Sequence, residues 1–448
     1  MEHQLPPITA GSLAAIAREI AARLQSAGFG AFWVGGCVRD SLLGRVPGDY
    51  DVATSARPDD VEKLFPRTIP VGRKFGVIIV VEEGHPFEVA TFRAEAEYLD
   101  GRRPEKVTFA EPQADAQRRD FTVNGLFYDP VQKKVHDWVG GEADLRRKVI
   151  RTIGLPEERF GEDHLRMLRA VRFAAQLDFE IDPTTFEALQ RLAPKIQGIS
   201  AERIREELIR IFAPPHAGRG LELLRASGLV PFVLPELEAT IACEQSPDYH
   251  PEGSVFNHIA LMLRQLPADA DPSLAWCAIL HDIAKPATAT LDQSNHLIHF
   301  YGHEREGAVM AEKILERLRF PKKQIKDICE VVRYHMQFKD APAMRKSTLR
   351  RLLMRPTFPL ELALHRLDCL GSHRKLDIYD FLVKEAEVLK QQPHIIPPLL
   401  NGNDLIELGV QPGPEMGKLL ADLREKQLHD EIQNAEEAKR WVTGRMTE

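Results

Sequence analysis

The chain is poor in several things that would narrow its function at once. Its 448 residues hold five cysteines, Cys37, Cys243, Cys277, Cys329 and Cys369, with no C-x-x-C pair and no regular spacing. Neither a disulfide framework nor a cysteine-based zinc site is indicated, and a reducing compartment fits. No apolar run approaches the ~20 residues of a membrane span, and the opening "MEHQLPPITAG" lacks the basic and apolar regions of a signal peptide. The expectation is a cytoplasmic chain with no membrane partner. Positive charge is also in deficit: 59 Lys and Arg against 66 Asp and Glu give a net charge of -7 and a pI near 6.2. That excludes coating a nucleic acid by bulk charge, so any such partner must be held by a local Arg-rich face. Fixed-period repeats and low-complexity tracts are missing as well.

What is present is ordinary for a folded soluble protein, with 44% hydrophobic and 28% charged residues. The length implies two to four packed units. Residues 11 to 29 space Leu13, Ile16, Ile20 and Leu24 at helical intervals and end on glycines. The runs "AFWVGG", "DYDVAT", "GVIIVVEEG", "PFEVATF" and "KVTFAE" then read as strands. From about Glu142 the pattern becomes helical almost to the end, and the fold class expected is α+β. The proline-containing stretches 213 to 218 and 392 to 405 are candidate linkers.

In "VGGCVRDSLLGRVPGDYDV" (34 to 52), period-2 alternation in a strand points Asp49 and Asp51 one way and Tyr50 and Val52 into the core. Two such carboxylates suit Mg²⁺, which binds one or two carboxylates together with phosphate oxygens. Gly35 and Gly36 allow a backbone to approach phosphate, the start of the following helix offers amides, and Arg39 adds a fork of donors. Taken alone, Asp-x-Asp is a weak signal and reads more readily as a turn or a solvated face.

Four motifs in order, "GGCVRDSLLGRVPGDYDVAT", "RRDFTVNGLFYD" (118 to 129), "DWVGGEADLRRKVIRTIG" (137 to 154) and "EDHLRMLRAVRFAAQLDF" (162 to 179), resemble the class II tRNA nucleotidyltransferase and bacterial poly(A) polymerase family. The resemblance implies a nucleotidyltransferase head with a small mixed sheet at 1–141, a helical neck at 142–212, a helical body at 213–250 and a helical tail at 392–448. It implies use of CTP and ATP to build the CCA end of tRNA, with Asp49 and Asp51 holding catalytic Mg²⁺. Glu88, alternating with Pro86 and Ala90, is the candidate third carboxylate, an exposed strand residue being the alternative. Arg118, Arg119, Asp120 and Asn124 are implied to engage the nucleotide's sugar and triphosphate. Gly125 stands where the family often has Ala.

"EDHLR" sits at the start of an amphipathic helix, which places Asp163 and Arg166 three residues apart on one face. A carboxylate accepts from the amino group shared by cytosine and adenine, and a guanidinium donates to ring acceptors, so the pair can select C and A against U and G. A plain i, i+3 ion pair is the alternative. The resemblance makes the two an amino-acid template, with Glu162 in support, and Arg169 and Arg172 extend the basic surface. The stretch 92 to 109 resembles the flexible loop that complete CCA-adding enzymes carry and CC-adding relatives lack. An A-adding enzyme and a poly(A) polymerase stay open, as does an HD hydrolase whose head only binds RNA.

A second constellation lies at 251–391. "AWCAILHDIAKPA" resembles the HD phosphohydrolase family in its His281–Asp282 pair, with His258 upstream and Asp368 downstream, and with His303 and His335 matching an extended ligand set. Imidazoles with carboxylates suit a divalent transition metal, Mg²⁺ or Mn²⁺ that activates water. Hydrolysis of phosphate esters at RNA ends is the expectation, and a scaffold role is the alternative. The oligomeric state is not legible.

Overall fold

Four of the five expected strand runs join three further strands in one seven-stranded sheet, whereas Thr108–Phe109 of "KVTFAE" pairs separately with Arg93–Ala94. The spatial order of the large sheet is Thr68–Gly72, Val77–Glu82, His85–Thr91, Asp51–Thr54, Ala31–Val34, Phe127–Asp129, Lys134–His136. All neighbours are antiparallel except Asp51–Thr54 and His85–Thr91, which run parallel with Val52 opposite Val89. The computed structural model describes residues 8–9, 11–94, 108–246, 252–292, 297–392, 395 and 397–446. Most of the loop expected at 92 to 109 therefore lies outside the described residues.

The helix Leu13–Ser26 buries Ile16, Ile20 and Leu24, and the Ser12 hydroxyl caps it by accepting from the Ala15 N–H at 3.2 Å. Trp33, Val52 and Val89, all nearly inaccessible, supply the sheet's core.

By packing, the chain divides into one unit of Met1–Phe212 with Arg219–Pro235 and another of Ala213–Gly218 with Glu236–Glu448. In the first, the sheet is followed by helices Pro156–Glu162, Leu165–Leu177, Pro183–Leu192 and Ala201–Ile211. The helical expectation misses a short parallel pair, Val149–Ile150 with Glu180–Ile181. Lys148 ends the preceding helix with φ 56°, which frees the next two residues to pair.

In the second unit, the helix Pro272–Leu280 is buried on every side from Leu274 to Leu280 and ends at His281–Asp282. Around it pack Val255–Arg264, His303–Arg317, Lys322–Tyr334 and Phe358–Gly371. An antiparallel pair, Thr290–Leu291 with Ile298–His299, again interrupts the helices. The last helices, Gly402–Glu407, Pro414–Leu428 and Ala435–Met446, share a core of Leu405, Leu423 and Val442. Among the described residues no helix is long and apolar enough to cross a membrane.

Candidate functional site

Asp51 opens its strand, and the parallel register that sets Val52 opposite Val89 brings Glu88 alongside Asp51. Tyr50 and Val52 are buried as the alternation predicts, Tyr50 standing edge-on to Trp33 at 4.8 Å. Asp49 departs from the expectation in one respect: it is exposed and precedes the paired part of the strand. Burial, together with the Glu88 and Asp49 charges and against the pull of Arg119, pushes the Asp51 carboxyl up to about 6. The charges of Asp49 and Glu88, both exposed, bear on the half-buried Asp51 and are offset only in part by Arg119, and that donor set fits a hard divalent cation.

Beside them, a cavity of about 410 Å³ is lined by Gly35, Gly36, Arg39, Asp51, Arg118, Arg119, Asp120, Asn124, Asp163, Arg166 and Arg169, with Leu165, Phe173 and Arg203. Gly35 has φ 73°, and a Cβ there would lie 2.9 Å from a guanidinium nitrogen of Arg119. Gly35→Ala should cost about 1–3 kcal/mol of backbone strain, because φ 73° with ψ −127° lies outside even the left-handed helical region, and it should displace Arg119. A lower melting temperature is expected, and an unchanged one would show that the close approach is immaterial.

The polar wall of the cavity is one chain of contacts. Arg39 donates to Asn124 Oδ1 at 2.7 Å, the Asn124 amide donates to Asp120 Oδ1 at 3.1 Å, and Arg169 Nε donates to Asp120 Oδ2 at 2.7 Å. Burial would raise the Asp120 carboxyl, but Arg169, Asn124 and the Phe121 N–H outweigh it and hold it at about 2. Asp115, almost fully buried, receives Arg118 at 2.6 Å and Arg119 at 3.2 Å and fixes both guanidiniums. Gly125 also has a steric reason: a Cβ there would meet Val139 at 2.7 Å and Ile153 at 3.0 Å.

Asp163 and Arg166 line the same cavity but do not share one helix. Asp163 has φ −148° and ψ 104°, lies between Pro156–Glu162 and Leu165–Leu177, and accepts the Leu165 N–H at 3.1 Å. The i, i+3 ion pair is not formed. Asp163 instead receives Arg203 at 2.7 Å, while Arg166 pairs with Glu162 and donates to the Arg159 carbonyl at 2.9 Å. Glu162 also receives Arg159 at 3.2 Å. Sequence reasoning missed Arg203 and Glu207, which stand four residues apart on the helix Ala201–Ile211. Glu207 receives Arg172 at 2.9 Å, which makes Arg172 a buried bracing group rather than a surface charge. The signal was faint: a carboxylate at an otherwise apolar helical position in "AERIREELIRI".

In the second unit the expected ligands converge. His258, His281 and Asp282 form one cluster and Asp282, His303 and His335 another, the donor atoms of each lying within 4.8 Å of one another. His258 Nε2 is 3.1 Å from Asp368, and His303 Nε2 is 3.3 Å from Asp282. Nδ1 of His281, His303 and His335 each lies within 2.6–2.9 Å of a backbone carbonyl, of Ala278, Phe300 and Val332. Donation from Nδ1 leaves Nε2 as the acceptor aimed into the cluster, the arrangement that presents imidazole to a metal. Burial and the neighbouring His281 lower His335 to about 3, while Asp368 and Glu252 overcome burial and raise His258 to about 9. Glu252, 2.7 Å from His258, and Lys285, 2.7 Å from Asp282, were not anticipated.

The first unit thus holds a carboxylate cluster beside an arginine-lined cavity, and the second a histidine–aspartate cluster. The family model described as "Poly A polymerase head domain" matches residues 31–151, "Probable RNA and SrmB- binding site of polymerase A" matches 178–241, and "HD domain" matches 253–372. Nucleotidyltransferase and HD domains imply use of divalent metal generally. The CCA-adding enzyme of Latilactobacillus sakei subsp. sakei is 31% identical over 422 residues, 93% of this chain and 94% of that protein. The chain belongs to the CCA-adding enzyme family. It is 47% identical to the CCA-adding enzyme of Geobacillus stearothermophilus over 208 residues, which is 46% of this chain and about half, 51%, of that relative's length. A crystal structure of the Bacillus stearothermophilus CCA-adding enzyme in complex with CTP superposes with a TM-score of 0.73 at 27% identity and covers 98% of each chain.

Proposed function

We propose that this chain adds C, C and A to the 3' end of tRNA from CTP and ATP and releases pyrophosphate. The observation that carries this reading is that a single cavity joins two kinds of lining, Gly35, Gly36, Arg39 and Asp51 for phosphate and metal, Asp163 and Arg166 for the base. Asp163 accepts from the amino group of cytosine or adenine and Arg166 donates to the ring. Arg118, Arg119, Asp120 and Asn124 hold the sugar and triphosphate. Arg169 anchors Asp120 and so ties the phosphate side of the cavity to the base side. The RNA 3'-hydroxyl oxygen bonds to the α-phosphorus as the bond from that phosphorus to the bridging oxygen breaks, and Glu88 is available to receive the hydroxyl's proton. Mg²⁺ bound by Asp49 and Asp51 would supply charge neutralisation at the attacking and leaving oxygens. The division into head, neck, body, HD domain and tail belongs to the same reading, as does a cytoplasmic location, which the five free thiols fit.

The test supplies tRNAs ending before CCA, after C and after CC with each labelled nucleotide separately. Two C additions and then one A are expected. Incorporation of A alone, or an open-ended A tail on unrelated RNA, would replace this reading by an A-adding enzyme or a poly(A) polymerase.

A second reading concerns the HD domain, and the paired clusters around Asp282 favour it. We assign His258, His281, Asp282, His303, His335 and Asp368 as the set that holds one or more divalent metals for hydrolysis of a phosphate ester. Water oxygen bonds to phosphorus, the bond to the sugar oxygen breaks, and a water proton ends on that oxygen. His281→Ala and Asp282→Ala should each suppress metal-dependent phosphate-ester hydrolysis at least about 10²-fold while CCA addition continues. Hydrolysis that survives both changes would assign it to another protein or another site.

A further inference from the structure

The chain entering the histidine cluster turns some side chains toward the cluster and one aromatic ring away from it. Phe300 turns inward, its ring 5.4 Å from the Lys285 ammonium, which is itself 2.7 Å from Asp282. His303 also turns inward, its Nε2 3.3 Å from Asp282. Between them Tyr301 turns outward and is 77% exposed, although an aromatic ring loses favourable burial in that position. Its ring is not solitary. His299, at the end of the strand Ile298–His299, stacks on it with centroids 5.3 Å apart and planes within 19°.

From these observations we infer that His299 and Tyr301 are specificity-determining residues of the HD centre, a flat paired surface on which an unpaired nucleobase stacks beside the phosphate to be cleaved. This inference rests on the hydrolytic reading of that centre. Tyr301 precedes His303 by two residues, so their Cα atoms are at most about 7 Å apart, a separation within the reach of one nucleotide from base to phosphate. Gly302 caps the fifteen-residue helix that begins at His303, so the position of Tyr301 relative to the cluster is set by a short, ordered piece of chain. Every base offers a π-face, so such a platform favours single-stranded ends without choosing among sequences, whereas a paired base has both faces occupied. Lys285, held by Asp282 at 2.7 Å and by Gln245 at 2.6 Å, keeps a fixed positive charge at the metal-ligand set.

The test uses the full chain loaded with Mn²⁺ and compares hydrolysis of 2',3'-cyclic AMP with that of a base-free cyclic phosphate, propane-1,2-diol cyclic phosphate. The wild type should prefer the base-bearing substrate. In Tyr301→Ala the ratio of the two kcat/KM values should fall about 5- to 100-fold, in line with the loss of one base–aromatic stack. Tyr301→Phe, which keeps the ring, should keep the ratio. An unchanged ratio in Tyr301→Ala, or an equal loss on both substrates, overturns the platform. If the wild type cleaves neither substrate, the hydrolytic reading fails instead. Equilibrium binding of 2',3'-cyclic AMP to Tyr301→Ala and Tyr301→Phe then decides the platform alone, and equal affinities reject it.

Discussion

Asp51→Asn is expected to lower nucleotide incorporation by about 10³-fold or more and at the same time to make the metal-free protein more stable near neutral pH. Both effects have one cause. Asp51 is half-buried beside Glu88 and Asp49, and its carboxyl titrates near 6 instead of near the ordinary 3.8. Between those values the folded chain binds a proton that the unfolded chain has released. Stability is therefore lost as pH rises through this window and stays low above it. An uncharged amide removes the penalty. The gain should reach up to about 2 kcal/mol at pH 8, allowing for partial solvent screening, and should disappear below about pH 4. Urea unfolding in a chelator from pH 4 to 8, run beside primer extension, measures both quantities. A variant that is inactive and also less stable at pH 8 would mean that the site is damaged and not merely stripped of a ligand.

Arg166→Ala is expected to separate selection from stability. Its loss should lower kcat/KM for CTP and ATP by roughly 10²-fold, the worth of a bidentate base contact at its upper range, and raise the share of UTP and GTP incorporated. Glu162 still receives Arg159 at 3.2 Å, so the helix junction keeps a tie and the unfolding free energy should move by less than about 1 kcal/mol. Asp163→Ala makes the contrast. It leaves the Leu165 N–H without its acceptor and Arg203 without its carboxylate, so it should lose both selection and about 1 kcal/mol of stability. Equal nucleotide preference in Arg166→Ala and the wild type would remove Arg166 from the template.

Much of this arrangement was legible in the residues. Four of the sheet's strands announced themselves by β-branching, Thr68–Gly72, Phe127–Asp129 and Lys134–His136 did not, and the alternation of Asp49, Tyr50, Asp51 and Val52 placed the two buried members correctly. The histidine set was legible through the resemblance of His281–Asp282, with His258 upstream and Asp368 downstream, to the HD phosphohydrolase family. What escaped were the groups that act through another side chain. Arg203 and Glu207 sit in a sequence that reads as an ordinary amphipathic helix, and only the fold brings them to Asp163 and Arg172. Glu252 and Lys285 escaped for the same reason: a charged residue's value here depends on a neighbour that is remote along the chain. The i, i+3 reading of Asp163 and Arg166 went wrong through a local competition, since an aspartate's carboxylate can end one helix and begin the next by taking a backbone N–H.

That interruption at Asp163 has a bearing on how the cavity could be rebuilt. Each residue within a helix is turned by about 100° from the one before, so the direction of its side chain is inherited from its neighbours. Asp163 inherits nothing of the kind, because its backbone is extended between two helices. His164, the next residue, is already helical at φ −60° and ψ −20°, so the direction of the carboxylate is set at one extended residue and by the Leu165 N–H and Arg203 that hold it. The direction of this carboxylate is in this sense a property of a joint, and an inventory of side chains would not reveal its loss.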